Sequence, residues 1–183
     1  MAGEKTDGEA VGVARGTESP ITVEITPRLI GLSMGAGLVG MVVMAPLLVG
    51  VPLALGIFRA EPLVEFANIG SFFGLTPSVV GPVFGYDPSL VVGALIFALG
   101  GILFLPVQFL VVASYLPPES PRFARGGTLA LLWWGGFLFA FWPGGSLTTG
   151  VFFVLLSGTA HLLYGLTLGY LVDRFAEIPQ HEV

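Results

Sequence analysis

The chain has 183 residues, a formal net charge of −5 and no cysteine. Hydrophobic residues make up 54% and charged residues only 10%, against about 25% charged in a soluble domain. This excludes an ordinary water-soluble fold, and the lack of cysteine excludes disulfides, thiolate metal sites and cysteine nucleophiles.

The apolar residues fall in blocks long enough to cross a bilayer, so the expected fold is an all-α membrane protein with four transmembrane helices. Residues 1–28 are polar and lack the apolar core of a signal peptide. They read as a largely disordered tail, with the first span acting as an uncleaved insertion signal. From Leu29 to Phe58 there are thirty residues without a charge, more than the roughly twenty a bilayer needs. Pro46 and Pro52 predict a kink or an early end, giving a first span of about 29–55. Gly31, Gly35, Gly37 and Gly40 suit its first half to close helix contact.

Residues 59–89 form an external loop. Arg59, Glu61, Glu65 and Asn68 alternate with Leu63, Phe66, Ile69 and Phe72 at near-helical spacing, which predicts a short amphipathic interfacial helix between the first and second spans. The apolar stretch that follows is broken by Pro77, Pro82 and Pro88 and is expected to rest on the membrane or the bundle without crossing. The second span, about 90–116, contains Pro106 and Gln108. PPESPRFARG (117–126) ends it, and Ser120 as N-cap with Pro121 in the first turn opens the third span, 121–142. Pro143, Gly144 and Gly145 predict a tight turn, 146–172 is the fourth span, and 173–183 is a polar tail.

With four spans, the N-terminal tail, the 117–126 loop and the C-terminal tail share one side. That side holds Lys5, Arg15, Arg28, Arg122, Arg125 and Arg174, and the other holds only Arg59. By the positive-inside rule the chain is a multi-pass cell-membrane protein with both termini cytoplasmic. A short echo links SLVVGALIFALGG (89–101) to SLTTGVFFVLLSG (146–158), which raises the question of whether the two helical hairpins repeat.

Apart from Arg122 and Arg125 at the cytoplasmic end of the third span, no Asp, Glu, Lys or Arg lies within any predicted span, which argues against an ion-coupled pump or transporter. His161 is the one ionisable side chain expected in mid-span. Gly158, Gly165 and Gly169 share its stripe at helical spacing, so it is expected to point into the bundle at a helix-packing face. Gln108 lies at nearly the same depth, a difference of about 5 Å along the helix rise. An interhelical His161–Gln108 hydrogen bond is therefore expected. A haem would use His161 as one axial ligand, but the other histidine, His181, sits in the tail, leaving Met34, Met41 or Met44. Trp133, Trp134, Phe137, Phe139, Phe141 and Trp142 make the third span aromatic. Trp142 fits the outer interfacial belt, and at least one of Trp133 and Trp134 is expected to meet another helix or protein. No nucleophile–base pair, phosphate loop or metal cluster is visible, so no enzymatic activity and no metal are expected.

The segment SGTAHLLYGLTLGYL (157–171), with His161, Tyr164, Gly165 and Gly169, resembles a family of small four-helix membrane proteins known mainly from halophilic archaea. FANIGSFFGL (66–75) matches the amphipathic stretch of that family. The acidic tails and the single lysine against six arginines also fit a salt-adapted source. The resemblance implies association with haem–copper terminal oxidases. Members often carry a second-helix histidine where this chain has Phe104 and Gln108, which weakens a two-histidine haem site. The function expected is a non-catalytic integral membrane subunit or assembly partner of a respiratory complex. The alternatives are a binding or transport protein for a neutral, quinone-like molecule, and a haem protein using His161. Expected partners are the bilayer and other integral membrane subunits, with no nucleic acid.

Overall fold

A backbone deprived of water must satisfy its amides and carbonyls internally, and a helix does so within one segment. The computed structural model describes residues 25–56, 88–140, 142 and 146–176; among these the protein is all-helical, with no strand. The N-terminal tail up to residue 24, the amphipathic stretch and most of the external loop (57–87), the 143–145 turn and the tail from residue 177 lie outside the described residues.

Helix α1 runs Pro27–Ala54. Thr26 caps it by accepting the Leu29 amide hydrogen at 3.2 Å, and Pro27 takes the first-turn position where no amide donor is needed. Pro46 does not end the helix. It opens a π-helical turn, Pro46–Gly50, in which the Val51 amide donates to Pro46 O, and α-helix resumes over Val51–Ala54. Helix α2 comprises Pro88–Leu99, a second π turn at Gly100–Phe104, Leu105–Val112 and a closing 3-10 turn, Ala113–Tyr115.

Helix α3 is Ala124–Ala140 and begins later than the Ser120–Pro121 start expected from sequence. The carbonyls of Pro121, Arg122 and Phe123 accept from the Ala124, Arg125 and Gly126 amides at 3.1, 3.1 and 3.2 Å, a tight lead-in that delays regular winding. The preceding loop is pinned to the helix instead: Arg125 Nε donates to Pro118 O at 3.0 Å, and Thr128 Oγ1 donates to Pro117 O at 2.6 Å. Helix α4 is Leu147–Ala176, thirty residues without a break.

Three of these helices are long and apolar enough to cross a membrane: Pro27–Ala54, Val91–Tyr115 and Leu147–Phe175. Helix α3, at 17 residues, is about 26 Å long at ~1.5 Å per residue. It nonetheless lies antiparallel along α4 for its whole length. Gly126 abuts Gly165 and Gly169, Gly127 meets Leu162 and Leu166, Trp134 covers Gly158, and Trp142 covers Gly150. Helix α1 seats α2 at Gly37, against Pro106 and Gly101 O, and seats α4 at Gly40, against the Tyr164 ring. The core runs along these seams through Ala36, Met44, Phe109, Leu129, Ala160, Tyr164 and Leu168. Helices α2 and α3 touch only thinly. Every charged residue among the described ones (Arg28, Glu119, Arg122, Arg125, Asp173 and Arg174) falls at the same end of the bundle.

The glycines at these seams give a paired test. A methyl group at Gly165 would run into Gly126 and Ala130, whereas one at Gly35 meets nothing within 4 Å. Gly165→Ala is expected to cost about 1–3 kcal/mol by overpacking, and Gly35→Ala less than about 0.5 kcal/mol. Thermal unfolding of both variants in mild detergent checks this.

Candidate functional site

The middle of the bundle is organised by a missing hydrogen. Proline has no amide N–H, and Pro106 sits just after the α2 π turn, where the Leu105 amide reaches back to Gly100 O. The next donor in that wide pattern would be residue 106, reaching back to Gly101 O, and proline cannot supply it. The Tyr164 hydroxyl does so from α4, donating to Gly101 O at 2.6 Å. Tyr164 is buried, and its ring lies on Gly40 of α1, where any side chain would displace it. One tyrosine thus ties three helices together.

A second polar group lies one turn earlier on α4. His161, also buried, places Nδ1 2.7 Å from Ser157 O. A carbonyl only accepts, so Nδ1 carries the proton and donates. The Ser157 hydroxyl donates to Phe153 O at 2.5 Å and accepts from Trp134 Nε1 of α3 at 2.9 Å. The Phe137 ring lies 5.3 Å from the imidazole, centroid to centroid. Gln108 does not reach His161. Its Oε1 accepts from Trp133 Nε1 at 2.7 Å, and Phe104 meets Trp133 edge-on at 5.4 Å, so this bond joins α2 to α3.

The expected His161–Gln108 bond is therefore replaced by two separate ones. The cause is facing as well as depth: His161 bonds back into its own helix, and Trp133, at the α2–α3 seam, takes the glutamine. Both tryptophans meet a neighbouring helix. Gly158, Gly165 and Gly169 all lie against α3, and Tyr164 bonds across from α4 to α2. The sequence reading passed over Ser157. Its spacing of four before His161 was the available signal, since a Ser or His at that interval shares a helix face.

These side chains join α2 to α3, α3 to α4 and α4 to α2. No nucleophile stands beside a base among the described residues, and no group of three or more His, Asp or Glu is placed to hold a metal. On α2, Gln108 is held by Trp133. Of the candidate methionines, Met41 packs its sulfur on Gly101, and Met44 is buried in the core.

Fold and site together define a helical membrane protein with three helices long and apolar enough to span a bilayer and hydrogen bonds between helices in the interior. The chain belongs to the family of unknown function DUF6789, which it matches over residues 27–183. No curated protein and no solved structure matches it.

The Tyr164 bond can be checked by a double-mutant cycle. Tyr164→Phe is expected to cost about 1 kcal/mol. Pro106→Ala restores an amide donor at position 106, so the same change made on that background is expected to cost much less. Equal costs on the two backgrounds, read by unfolding in detergent, would disprove the assignment.

Proposed function

We propose that the protein is a four-span, non-catalytic subunit or assembly partner of a membrane complex, a respiratory terminal oxidase being the first candidate. The observation that carries this reading is the contrast between two sets of glycines. Those facing inward (Gly37, Gly40, Gly126, Gly165 and Gly169) are each covered by a neighbouring helix. Among the described residues, Gly31 and Gly35 of α1 and Gly135 and Gly136 of α3 have nothing within 4 Å of where a side chain would stand. In a bilayer, small residues serve to let helices approach closely. The uncovered ones lie on two helix faces among exposed apolar residues such as Leu38, Val42, Leu132 and Phe139. A transmembrane helix of another subunit fits such a face. Among the described residues every buried side-chain polar atom has a hydrogen-bond partner, which suits a structural role.

Helix α3 counts as the fourth span in this reading because it accompanies α4 along its length, and Trp142 just beyond it suits the interfacial belt. The charged end then faces the cytoplasm, with both termini there. Binding of a neutral, quinone-like molecule is the second reading. It is favoured by the Gln108–Trp133 bond at the thin α2–α3 seam, a polar spot that lipid or a small molecule can approach.

Purification in mild detergent followed by mass spectrometry is expected to recover the chain with other integral membrane subunits. Recovery of a lone homo-oligomer would refute the subunit reading. Gly31→Leu with Gly35→Leu is expected to lose those partners while leaving the thermal stability of the isolated chain unchanged. For topology, the natural lack of cysteine allows single cysteines at Glu119 and Ser146. With a membrane-impermeant maleimide on intact cells, position 146 is expected to label and position 119 to stay protected.

A further inference from the structure

The charged end of the bundle contains one arginine unlike the rest. Arg122 and Arg174 are exposed, whereas Arg125 retains only 9% of its surface. Its Nε donates to Pro118 O at 3.0 Å. The neighbouring loop carbonyl, Pro117 O, is already occupied by Thr128 at 2.6 Å. Among the described residues no carboxylate pairs with Arg125, although Glu119 lies in the same loop. A guanidinium carries five N–H donors in a rigid fork, and the bond to Pro118 engages one and fixes the plane of the rest. A cation taken this far out of water needs an anion or further acceptors.

The place where it sits supplies them. Arg125 is in the first turn of α3, at the end of the bundle where α1 begins and α4 finishes, which is the depth of lipid headgroups. Arg28, Arg122, Arg125 and Arg174 stand there against Glu119 and Asp173, an excess of two positive charges (four minus two) among the described residues. The loop backbone is drawn against α4, with Phe123 O meeting Gly169 and the Phe123 ring edge-on to Tyr170 at 6.3 Å. The fork is therefore held on a fixed platform.

We propose that Arg125, fixed by Pro118 O, forms with Arg122, three residues earlier in the same tight lead-in, a binding site for the phosphate of an anionic phospholipid. A phosphodiester offers two oxygens at the spacing of the guanidinium fork, and basic residues at the membrane surface attract anionic headgroups. The site does not depend on the subunit reading, or on which side of the membrane this end faces.

Native mass spectrometry of the full chain in detergent, titrated with phosphatidylglycerol or phosphatidylcholine, tests it. The wild-type chain is expected to retain phosphatidylglycerol well above phosphatidylcholine. Arg125→Gln should weaken that retention roughly tenfold, the scale of one charge-assisted contact. Arg125→Lys keeps the charge and serves if the glutamine variant does not fold; it should weaken retention by a smaller factor because the fork is lost. Thr128→Val loosens the loop without touching the guanidinium and should bind as wild type. Equal retention of both lipids, or unchanged binding in both Arg125 variants, would overturn the proposal. So would an equal loss in Thr128→Val, which would assign the effect to loop order. Displacement of the lipid by millimolar inorganic phosphate would show a free-anion site instead.

Discussion

Because Pro106 lacks an amide hydrogen, a carbonyl in the middle of an apolar bundle has no donor in its own helix. In water such a carbonyl would be solvated. Inside hydrocarbon it must find a protein donor, since an unsatisfied backbone group there costs several kcal/mol. Tyr164 is that donor, and its position imposes conditions on the other helices. The ring needs the space left by Gly40, the α2 backbone needs the space left by Gly37, and α4 must hold the hydroxyl level with Gly101. The close seams of α1 thus follow from one absent proton.

The glycines extend this logic outward. Where two helices share glycines, as at Gly126 with Gly165 and Gly169, backbones touch and dispersion replaces the hydrophobic effect that lipid does not provide. The same residue type recurs on outer faces without a partner. A helix glycine costs roughly 1 kcal/mol in propensity relative to alanine, so one that touches nothing among the described residues gains no compensation from them. Contact outside the chain would supply it.

Much of the helical layout was legible in the sequence, because uncharged blocks of this length have few other uses. The glycine stripe of α4 was visible from its spacing. Three features were not legible. Pro46 predicted a kink or an early end of α1, but a π turn and a kink leave the same sequence mark. Gln108 and His161 were matched by depth, yet a hydrogen bond depends on facing, which a widened turn in α2 alters. The start of α3 was misjudged because Ser120 and Pro121 carry cap chemistry, while the decisive contacts come from Arg125 and Thr128, farther along the chain. The alignment of the second and fourth spans shows the same limit. Gly101 and Gly158 both face the helix that precedes them, but immediately afterwards α2 widens and α4 does not.

The wide turns also change how α1 and α2 respond to altered chain length. A π turn holds about one residue more than an α turn, and each residue on a helix advances the facing by about 100°. Residues after Phe104 are therefore rotated by roughly a quarter of a turn from where uninterrupted winding would put them. It is in that rotated frame that Phe109 and Leu110 face the core and Gln108 faces α3. Residues 100–104 and 46–50 act as registers of orientation. A deletion there would be absorbed by tightening the wide turn to an α turn, so the residues beyond it would keep the faces they show to their neighbours.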